Sequence, residues 1–487
     1  MFLNHKLAPL QKVARIDVIA KYSGQLLVVL GCLTLVPCLV SLYFSDFDST
    51  LRYLLIELML FLGGALLSRL DAPADIQANE GLVVTSLIFI AAPLIMTIAF
   101  SGAGLTFIDA LFETISAVTT TGLSTIADVE SMPPTFIFAR AYMQWIGGLG
   151  IVVLTVALLV RPGIAAKRLI HLDESEDLAS STRSYARTIL KIYLILTALV
   201  AVLIWAAQGD IFIAITHAFA AVSTGGFSGY NNSLAGFENK LAALTVITAC
   251  LFSALPILLY QRLQRRDWKA FIQDIQLRAL LILSLIISLV LGGMFIWQQN
   301  LPWSEALWHA PLLAISAQST AGFATLPLTG LSHDMLLILI FTMFVGGSLG
   351  STAGGIKLLR LVTFAHLIRL IMQRITIAPH AVIPQNLGRE YLDHDDVNRA
   401  LALILLFIAV IFCSWLAFVA AGHDTLKALF EVVSAICTVG LSSGITQPEL
   451  SGWLKIILCM DMLLGRLEII ALLILLYPAT WIKTRKI

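Results

Sequence analysis

The chain has 487 residues, of which 59% are hydrophobic and only 13% are charged, and its formal net charge is +1. Soluble domains carry about a quarter charged residues, so this composition excludes a soluble enzyme, a secreted disulfide scaffold and a disordered chain. Apolar runs of about twenty residues, the length that spans a bilayer, recur from end to end. The sequence therefore predicts an all-α polytopic membrane protein.

Ten apolar segments are long enough to cross a membrane. The eighth is too long for a single span, and five glycines between 346 and 355 predict that its helix is interrupted. The sequence therefore predicts ten membrane helices, one of them interrupted. In chain order the segments lie at about 25–44, 52–69, 80–100, 136–160, 188–207, 240–261, 278–297, 335–372, 398–421 and 453–480.

Lys and Arg concentrate in one set of loops, and such loops stay in the cytoplasm. Both termini are therefore expected on the cytoplasmic side. The opposite loops are nearly free of basic residues and carry acids such as Asp128, Asp210 and Glu449. An acidic outer mouth concentrates cations and repels anions. The basic segments are 1–24, 69–80, 161–191, 262–278, 357–399 and 483–487.

Four of the acidic-side loops repeat one pattern, in which a short amphipathic segment leads into Thr-x-Gly-[Leu/Phe]. The leading segments are too short to cross a membrane, so they are expected to be re-entrant helices. Each repeat then comprises a span, a re-entrant helix, the loop and a second span. The leading segments lie at about 107–119, 211–223, 304–319 and 425–437. The loop residues are Thr120, Thr121 and Gly122; Thr224, Gly225 and Gly226; Thr320, Ala321 and Gly322; and Thr438, Val439 and Gly440.

These loop residues suit a cation. Glycine permits backbone conformations that turn successive carbonyl oxygens toward one axis, and a ring of carbonyl and hydroxyl oxygens can replace an ion's hydration shell. The negative C-terminal ends of the re-entrant helices would also favour a cation. The alternative is that Thr and Gly only ease helix packing. One copy would favour packing, whereas four copies in register favour a selectivity filter.

The glycine-rich interruption is a second candidate site. Its backbone groups would be costly in lipid unless the segment lined the pore, so it is predicted to be a gate. A tight packing kink is the alternative. The gate residues are Gly346, Gly347, Gly350, Ser351, Thr352, Ala353, Gly354 and Gly355.

Ionisable residues within the membrane are expected to be paired or to face a cavity. Arg140 is predicted to anchor the first re-entrant helix through Glu113 or Asp109. His217 and His309, on the second and third re-entrant helices, are expected to pack at interfaces rather than to relay protons.

The chain resembles the Trk/Ktr/HKT superfamily of potassium transport proteins over about 80–480. The likeness rests on the four loops and on the runs at 144–150, 346–357 and 465–468. Two spans before the first repeat make it more similar to the TrkH branch than to the KtrB branch, which lacks them. The fourth loop is closer to a regular filter than this repeat often is in TrkH-like chains, and Ala353 stands where glycine is expected.

This resemblance implies four pseudo-symmetric M1–P–M2 repeats around one central pore, preceded by two extra transmembrane helices. The extra helices would occupy 1–79. The repeats would occupy 80–175, 176–270, 271–385 (with the interrupted second helix) and 386–487.

The resemblance also implies uptake of K⁺ across the bacterial inner membrane, with K⁺ bound at the loop residues. Arg466 would project into the path beneath them; the alternative is a charge-balanced helix contact with Asp461 and Glu468. The expected partners are a second copy in a homodimer, membrane lipid, and a cytosolic nucleotide-binding regulator of the TrkA type. No organic cofactor, enzymatic activity or nucleic-acid binding is expected.

The rival hypothesis is a Na⁺- or H⁺-coupled secondary transporter with alternating access. It predicts carboxylates at the midplane and broken helices in paired halves. Only one span is predicted to be broken and the repeat is fourfold, so this rival ranks second.

Overall fold

The structure, a computed structural model, describes residues 13–73, 75–159, 178–257, 259–376, 386–387, 390–391 and 394–482. Almost all regular structure in these ranges is helical. Two short antiparallel strands, β1 (Asn386–Leu387) and β2 (Glu390–Tyr391), pair with each other.

The helices follow the predicted segments closely. In chain order they are α1 (Ile16–Tyr43), α2 (Phe47–Ser68), α3 (Ala78–Phe100), α4 (Phe107–Val118), α5 (Pro134–Leu159), α6 (Leu178–Gln208), α7 (Ile211–Val222), α8 (Lys240–Ser253), α9 (Leu259–Gln264), α10 (Trp268–Ile272), α11 (Ile275–Gln299), α12 (Trp303–Gln318), α13 (His333–Val345), α14 (Leu358–Thr376), α15 (His394–Ala420), α16 (Thr425–Ile436), α17 (Gly452–Arg466), α18 (Ile470–Leu476) and α19 (Pro478–Trp481).

Length and composition make several of these helices membrane spans. Among the described residues, six helical stretches are long and apolar enough to cross a bilayer: Ile16–Tyr43, Phe47–Ser68, Ala78–Ala103, Ala186–Gln208, Ile275–Gln299 and Val397–Ala420. The chain is therefore a multi-pass membrane protein, as predicted.

The same order of elements occurs four times after α2. A long helix leads to a short helix, a Thr-x-Gly loop and a third helix, in α3–α5, α6–α8, α11–α13 and α15–α17. We call these groups units one to four, and the short helices α4, α7, α12 and α16 the pore helices. The pore helices have 12 to 16 residues, or about 18–24 Å at 1.5 Å per residue. They are too short for a hydrocarbon core of about 30 Å.

Helices α1 and α2 form a hairpin beside unit one. Their backbones approach closely at two glycines: a Cβ built on Gly24 would lie 2.6 Å from the Leu67 Cβ, and one on Gly64 would lie 2.7 Å from a Val28 methyl. Small residues allow such approach between membrane helices. Arg15 then fastens the start of α1 to α3, because its Nε lies 2.8 Å from a carboxylate oxygen of the fully buried Glu80.

The prediction that only one span is interrupted is wrong. The predicted interruption is present between α13 and α14, but the spans predicted at 240–261 and 453–480 are broken as well. Pro256 follows the end of α8, and proline disfavours helical backbone in the residue before it. The last span breaks where Glu468 and Ile469 adopt left-handed conformations, with φ of 54° and 59°.

The backbones of helix α5 and pore helix α4 approach closely at Gly147. A Cβ on Gly147 would collide with the Val118 carbonyl at the end of α4. Three residues further along α5, a Cβ on Gly150 would lie 3.8 Å from the Phe89 ring, an ordinary contact.

We expect Gly147→Ala to destabilise the protein by about 1–3 kcal/mol, the usual cost of overpacking. Gly150→Ala is the matched control and should leave stability unchanged or slightly higher, because alanine favours helix over glycine. Thermal melts of the purified protein in detergent compare the two. Equal melting temperatures would contradict the close approach at Gly147.

Candidate ion pore

Each pore helix ends in the same turn. In unit one the N–H of Thr120 donates to the Ala117 carbonyl at 3.0 Å, and the N–H of Thr121 donates to the Ser116 carbonyl at 2.9 Å. Equivalent bonds recur in the other three units. They form the Schellman motif, whose turn residue must be left-handed.

Threonine occupies this left-handed position in all four units. Thr120, Thr224, Thr320 and Thr438 have φ between 50° and 54°. A β-branched residue rarely adopts this conformation, and such strain costs about 1–3 kcal/mol per residue. The surrounding structure must therefore hold all four turns in place.

The four loops close into a ring. Gly122, Gly226, Gly322 and Gly440 are also left-handed, with φ between 75° and 90°. A Cβ added to any of them would collide with a backbone carbonyl of the next loop, so only glycine fits. The contacts run from Gly122 to Gly225, from Gly226 to Ala321, from Gly322 to Val439 and from Gly440 to Thr121. All the predicted filter residues thus lie in or directly beside one ring.

The ring opens at its glycines. They are partly exposed, whereas the two residues before each of them are buried. The hydroxyl groups of Thr120 and Thr438 are buried and have no hydrogen-bond partner within the described part of the chain. These oxygens can therefore serve as ligands for a cation, as hydroxyl and carbonyl oxygens do in filters.

A carboxylate braces the loop from behind in units one and four. Glu113 accepts hydrogen bonds from the Ser124 hydroxyl at 2.6 Å and the Thr125 N–H at 2.8 Å. Glu431 accepts the equivalent bonds from Ser442 at 2.6 Å and Ser443 at 2.8 Å. In these two units, the pore helix is thereby hydrogen-bonded to the segment that follows its own loop glycine.

Histidines brace the loops of units two and three. The Nε2 of His217 lies 2.9 Å from the Ser228 hydroxyl, and the Nδ1 of His309 lies 2.8 Å from the Thr325 hydroxyl. Both histidines, expected only to pack, therefore bind hydroxyl groups of the loops. The signal in the sequence was positional: His217, like Glu113, stands nine residues before its loop glycine.

Helix α5 connects unit one to unit two. The Nε of Arg140 lies 3.0 Å from Glu113, which confirms one of the two predicted pairings, and its guanidinium lies 3.8 Å from the centre of the Phe227 ring. On the same helix, Gln144 donates to the Gly225 carbonyl at 2.5 Å and accepts from the Phe227 N–H at 3.2 Å.

An ion pair joins the first and last units where the ring closes. Lys455 of α17 is 4% exposed, and its Nζ lies 2.6 Å from Asp109 of pore helix α4 and 2.8 Å from the Pro448 carbonyl. Asp109 is thus not the partner of Arg140. We call the Asp109–Lys455 pair the clasp.

The predicted gate segment, 346–355, lies directly against the ring and is called the gate loop. The N–H of Gly354 donates to the Thr320 hydroxyl at 2.6 Å, and the N–H of Gly355 donates to the Cys437 carbonyl at 3.1 Å. The Thr352 hydroxyl lies 3.3 Å from that of Thr224. Three of the four loops therefore contact this one segment.

Arg466 reaches the gate loop from α17. Its side chain is 3% exposed and donates to the Thr352 carbonyl at 2.8 Å and to the Gly147 carbonyl at 3.3 Å. The alternative of a charge-balanced contact with Asp461 and Glu468 is wrong. Asp461 accepts from Ser414 instead, and Glu468 pairs with Arg360 at 2.5 Å.

Two acidic residues stay ionised, Asp128 in the loop between α4 and α5 and Asp424 at the start of pore helix α16. The Asn231 amide donates to Asp128 at 2.8 Å and holds the pKa of that carboxyl below its usual value. Backbone N–H groups of Lys427 and Leu426 lower the pKa of Asp424, which caps α16. A negative mouth raises the local concentration of cations.

Comparisons with known proteins agree on one family. The family model described as "TrkH: Cation transport protein" matches residues 55–480. The chain is 28% identical over 426 residues to the Trk system potassium uptake protein TrkH of Escherichia coli K12, covering 84% of this chain and 87% of that protein. It is 28% identical over 484 residues to the Trk system potassium uptake protein TrkG of the same organism, covering 96% and 99%. The crystal structure of the potassium transporter TrkH from Vibrio parahaemolyticus superposes with a TM-score of 0.86 at 26% identity, covering 96% of this chain and 100% of that chain.

The clasp should contribute strongly to stability. Lys455→Met leaves the Asp109 carboxylate unpaired in a mostly buried site, and breaking a buried pair costs about 3–5 kcal/mol. Adding Asp109→Asn to Lys455→Met should recover part of this loss, as measured by a double-mutant cycle of melting temperatures.

The exposed pair of Arg52 and Asp48, 3.0 Å apart, supplies the control for the clasp. Arg52→Gln should cost no more than about 1 kcal/mol, because water already screens that pair. If Lys455→Met lowered the melting temperature no more than Arg52→Gln does, the clasp would not stabilise the junction of the first and last units.

Proposed function

We propose that this chain, which belongs to the TrkH family of cation transport proteins, takes up K⁺ across a bacterial inner membrane through the ring of Thr-x-Gly loops. The observation that carries the proposal is the ring itself, in which four strained turns present backbone carbonyls and threonine hydroxyls around one opening. The named potassium uptake of the TrkH and TrkG relatives supports the choice of ion.

The ion would lose its hydration water at the ring. Carbonyl oxygens of the loops and the unpartnered hydroxyls of Thr120 and Thr438 would replace that water. The negative ends of four pore helices aim at the same place. The membrane potential would drive the ion inward, at about 2.3 kcal/mol per charge for 100 mV.

The gate loop and Arg466 would close the path beneath the ring. A fixed guanidinium charge repels K⁺, and the gate loop lies next to the threonines of three loops, Thr224, Thr320 and Thr438. Opening requires Arg466 to leave the carbonyls of Thr352 and Gly147. Helix α14 continues directly from the gate loop, so a partner that pulls on α14 would move the gate.

The assembly proposed here follows the family resemblance. It comprises a homodimer with one pore per protomer, contact with membrane lipid, and a cytosolic nucleotide-binding regulator of the TrkA type. Both termini would lie in the cytoplasm, and the repeat boundaries would be those predicted from the sequence.

The coupled transporter with alternating access gains some support from the additional broken helices. The breaks fall in units two, three and four, however, and not in two paired halves as that mechanism expects. The fourfold ring therefore favours the filter.

Gly322→Ser should abolish K⁺ uptake or its discrimination against Na⁺. Serine adds a Cβ that collides with the Val439 carbonyl, and left-handed backbone costs a non-glycine residue about 1–2 kcal/mol. The expected loss is at least about tenfold, measured as growth of an uptake-deficient bacterial strain on limiting K⁺ with the regulator co-expressed.

Gly330→Ser, in the same unit, is the control for Gly322→Ser, because a Cβ at Gly330 meets no atom within 4 Å. It should grow like the wild type. Equal growth of the Gly322→Ser strain would place the ion path elsewhere, and failure of the wild type to rescue growth would reject potassium uptake.

Arg466→Ala should raise K⁺ flux through the closed protein. Two unit charges about 10 Å apart repel by about 1.7 kcal/mol at an effective dielectric constant of about 20, so removing one charge should raise the rate about tenfold or more. Flux into proteoliposomes without regulator measures the change. Arg466→Lys keeps the charge and should stay slow; an unchanged rate for Arg466→Ala would remove Arg466 from the barrier.

A further inference from the structure

A second ionisable group lies within the membrane on α17, and the proposed transport path does not use it. Asp461 is 1% exposed and accepts one hydrogen bond, from the Ser414 hydroxyl of α15 at 2.8 Å. Its second carboxyl oxygen, Oδ2, is buried and has no hydrogen-bond partner within the described residues.

The charged groups around Asp461 are committed elsewhere. On the packed pore helices α4 and α16, Asp109 pairs with Lys455, Glu113 pairs with Arg140, and Glu431 accepts from its own loop. Lys427 lies in the first turn of α16, at the opposite end of that helix from its C-terminus. On α17 itself, Lys455 and Arg466 are bound as described above, and Cys459 is a buried thiol; α15 contributes the exposed thiol of Cys413.

A carboxylate in this position would therefore be uncompensated. Transferring an unpaired charge into an apolar interior is so costly that the group neutralises instead. A carboxylic acid fits the contacts seen, because it keeps the bond from Ser414 on one oxygen and carries a proton on the other.

We propose that Asp461 and Ser414 form a proton-binding site within the membrane whose occupancy sets the affinity of the ring for K⁺; this effect on affinity rests on the function proposed above. On release, the O–H bond of the acid breaks, the proton passes to water and the electron pair stays on the carboxylate.

The position of the site gives the direction of the effect. Gly465 lies four residues further along α17, on the same face, and packs against the Ile436 carbonyl at the end of pore helix α16. Asp461 therefore lies behind the C-terminal half of that helix, one turn nearer its start. A negative charge there favours a cation at the ring, so K⁺ affinity should rise when the proton leaves.

The test compares K⁺ binding to the purified full chain across the range from about pH 6 to about pH 9, where buried carboxyl groups titrate. The K⁺ affinity of the wild type should increase several-fold as the pH rises. The affinity of Asp461→Asn should stay at the low value that the wild type has at acidic pH. Ser414→Ala removes the donor that stabilises the carboxylate, so its transition should move to higher pH. Glu57→Gln removes another buried intramembrane carboxyl, from α2 outside the four units, and should keep the wild-type pH dependence.

Infrared spectroscopy tests the proton itself. The C=O band of a protonated carboxyl, which shifts in D₂O, should lose a component in Asp461→Asn. Persistence of the full band, or wild-type pH dependence in that variant, would overturn the proposal. If Asp461→Asn does not fold, the displaced transition of Ser414→Ala decides in its place. Absence of K⁺ binding by the wild type would reject the proposed function, while the infrared band would still decide the proton site.

Discussion

The left-handed threonine at the end of each pore helix is the constraint on which the rest of the structure depends. Four β-branched residues in this conformation would relax if they were free. They are held because the next residues are locked in a ring whose glycines leave no space for a side chain. The gate loop binds Thr320 and approaches Thr224 from beneath, so the ring and the gate loop form one hydrogen-bonded network. Movement of the gate loop therefore removes support from the ring.

The four units build the same backbone ring with different supports. Carboxylates brace the loops of the neighbouring units one and four, whereas histidines brace those of units two and three. The junctions differ too: Gln144 binds the loop of unit two, and the clasp closes units four and one. The ring is therefore fourfold in its backbone but not in its supporting side chains, since carboxylates lie behind one half and histidines behind the other.

The sequence predicted the helices and the ring residues well, because apolar length, short re-entrant segments and repeated Thr-x-Gly are local signals. It placed the gate loop for the same reason, through glycines that a stable helix does not tolerate. It missed the break at Glu468 and Ile469, since neither residue type marks an interruption and the left-handed backbone there depends on tertiary contacts. It also missed the clasp, whose partners are 346 residues apart. The repeat boundaries and the binding of K⁺ at the ring stay predictions.

Arg466 also bears on how many positive charges a pore of four units presents to an ion. A channel assembled from four identical subunits must repeat every side chain four times around its axis, so one arginine per subunit would confront the ion with four positive charges. Joining four units in one polypeptide separates the symmetry of the backbone from that of the side chains. In the described part of this chain, the Arg466 guanidinium donates to the Thr352 carbonyl of the gate loop, and the buried Lys357 ammonium donates to the Ala353 carbonyl of the same loop. Covalent fusion thus permits positive charge in some of the four units and not in the others, which a symmetric homotetramer cannot do.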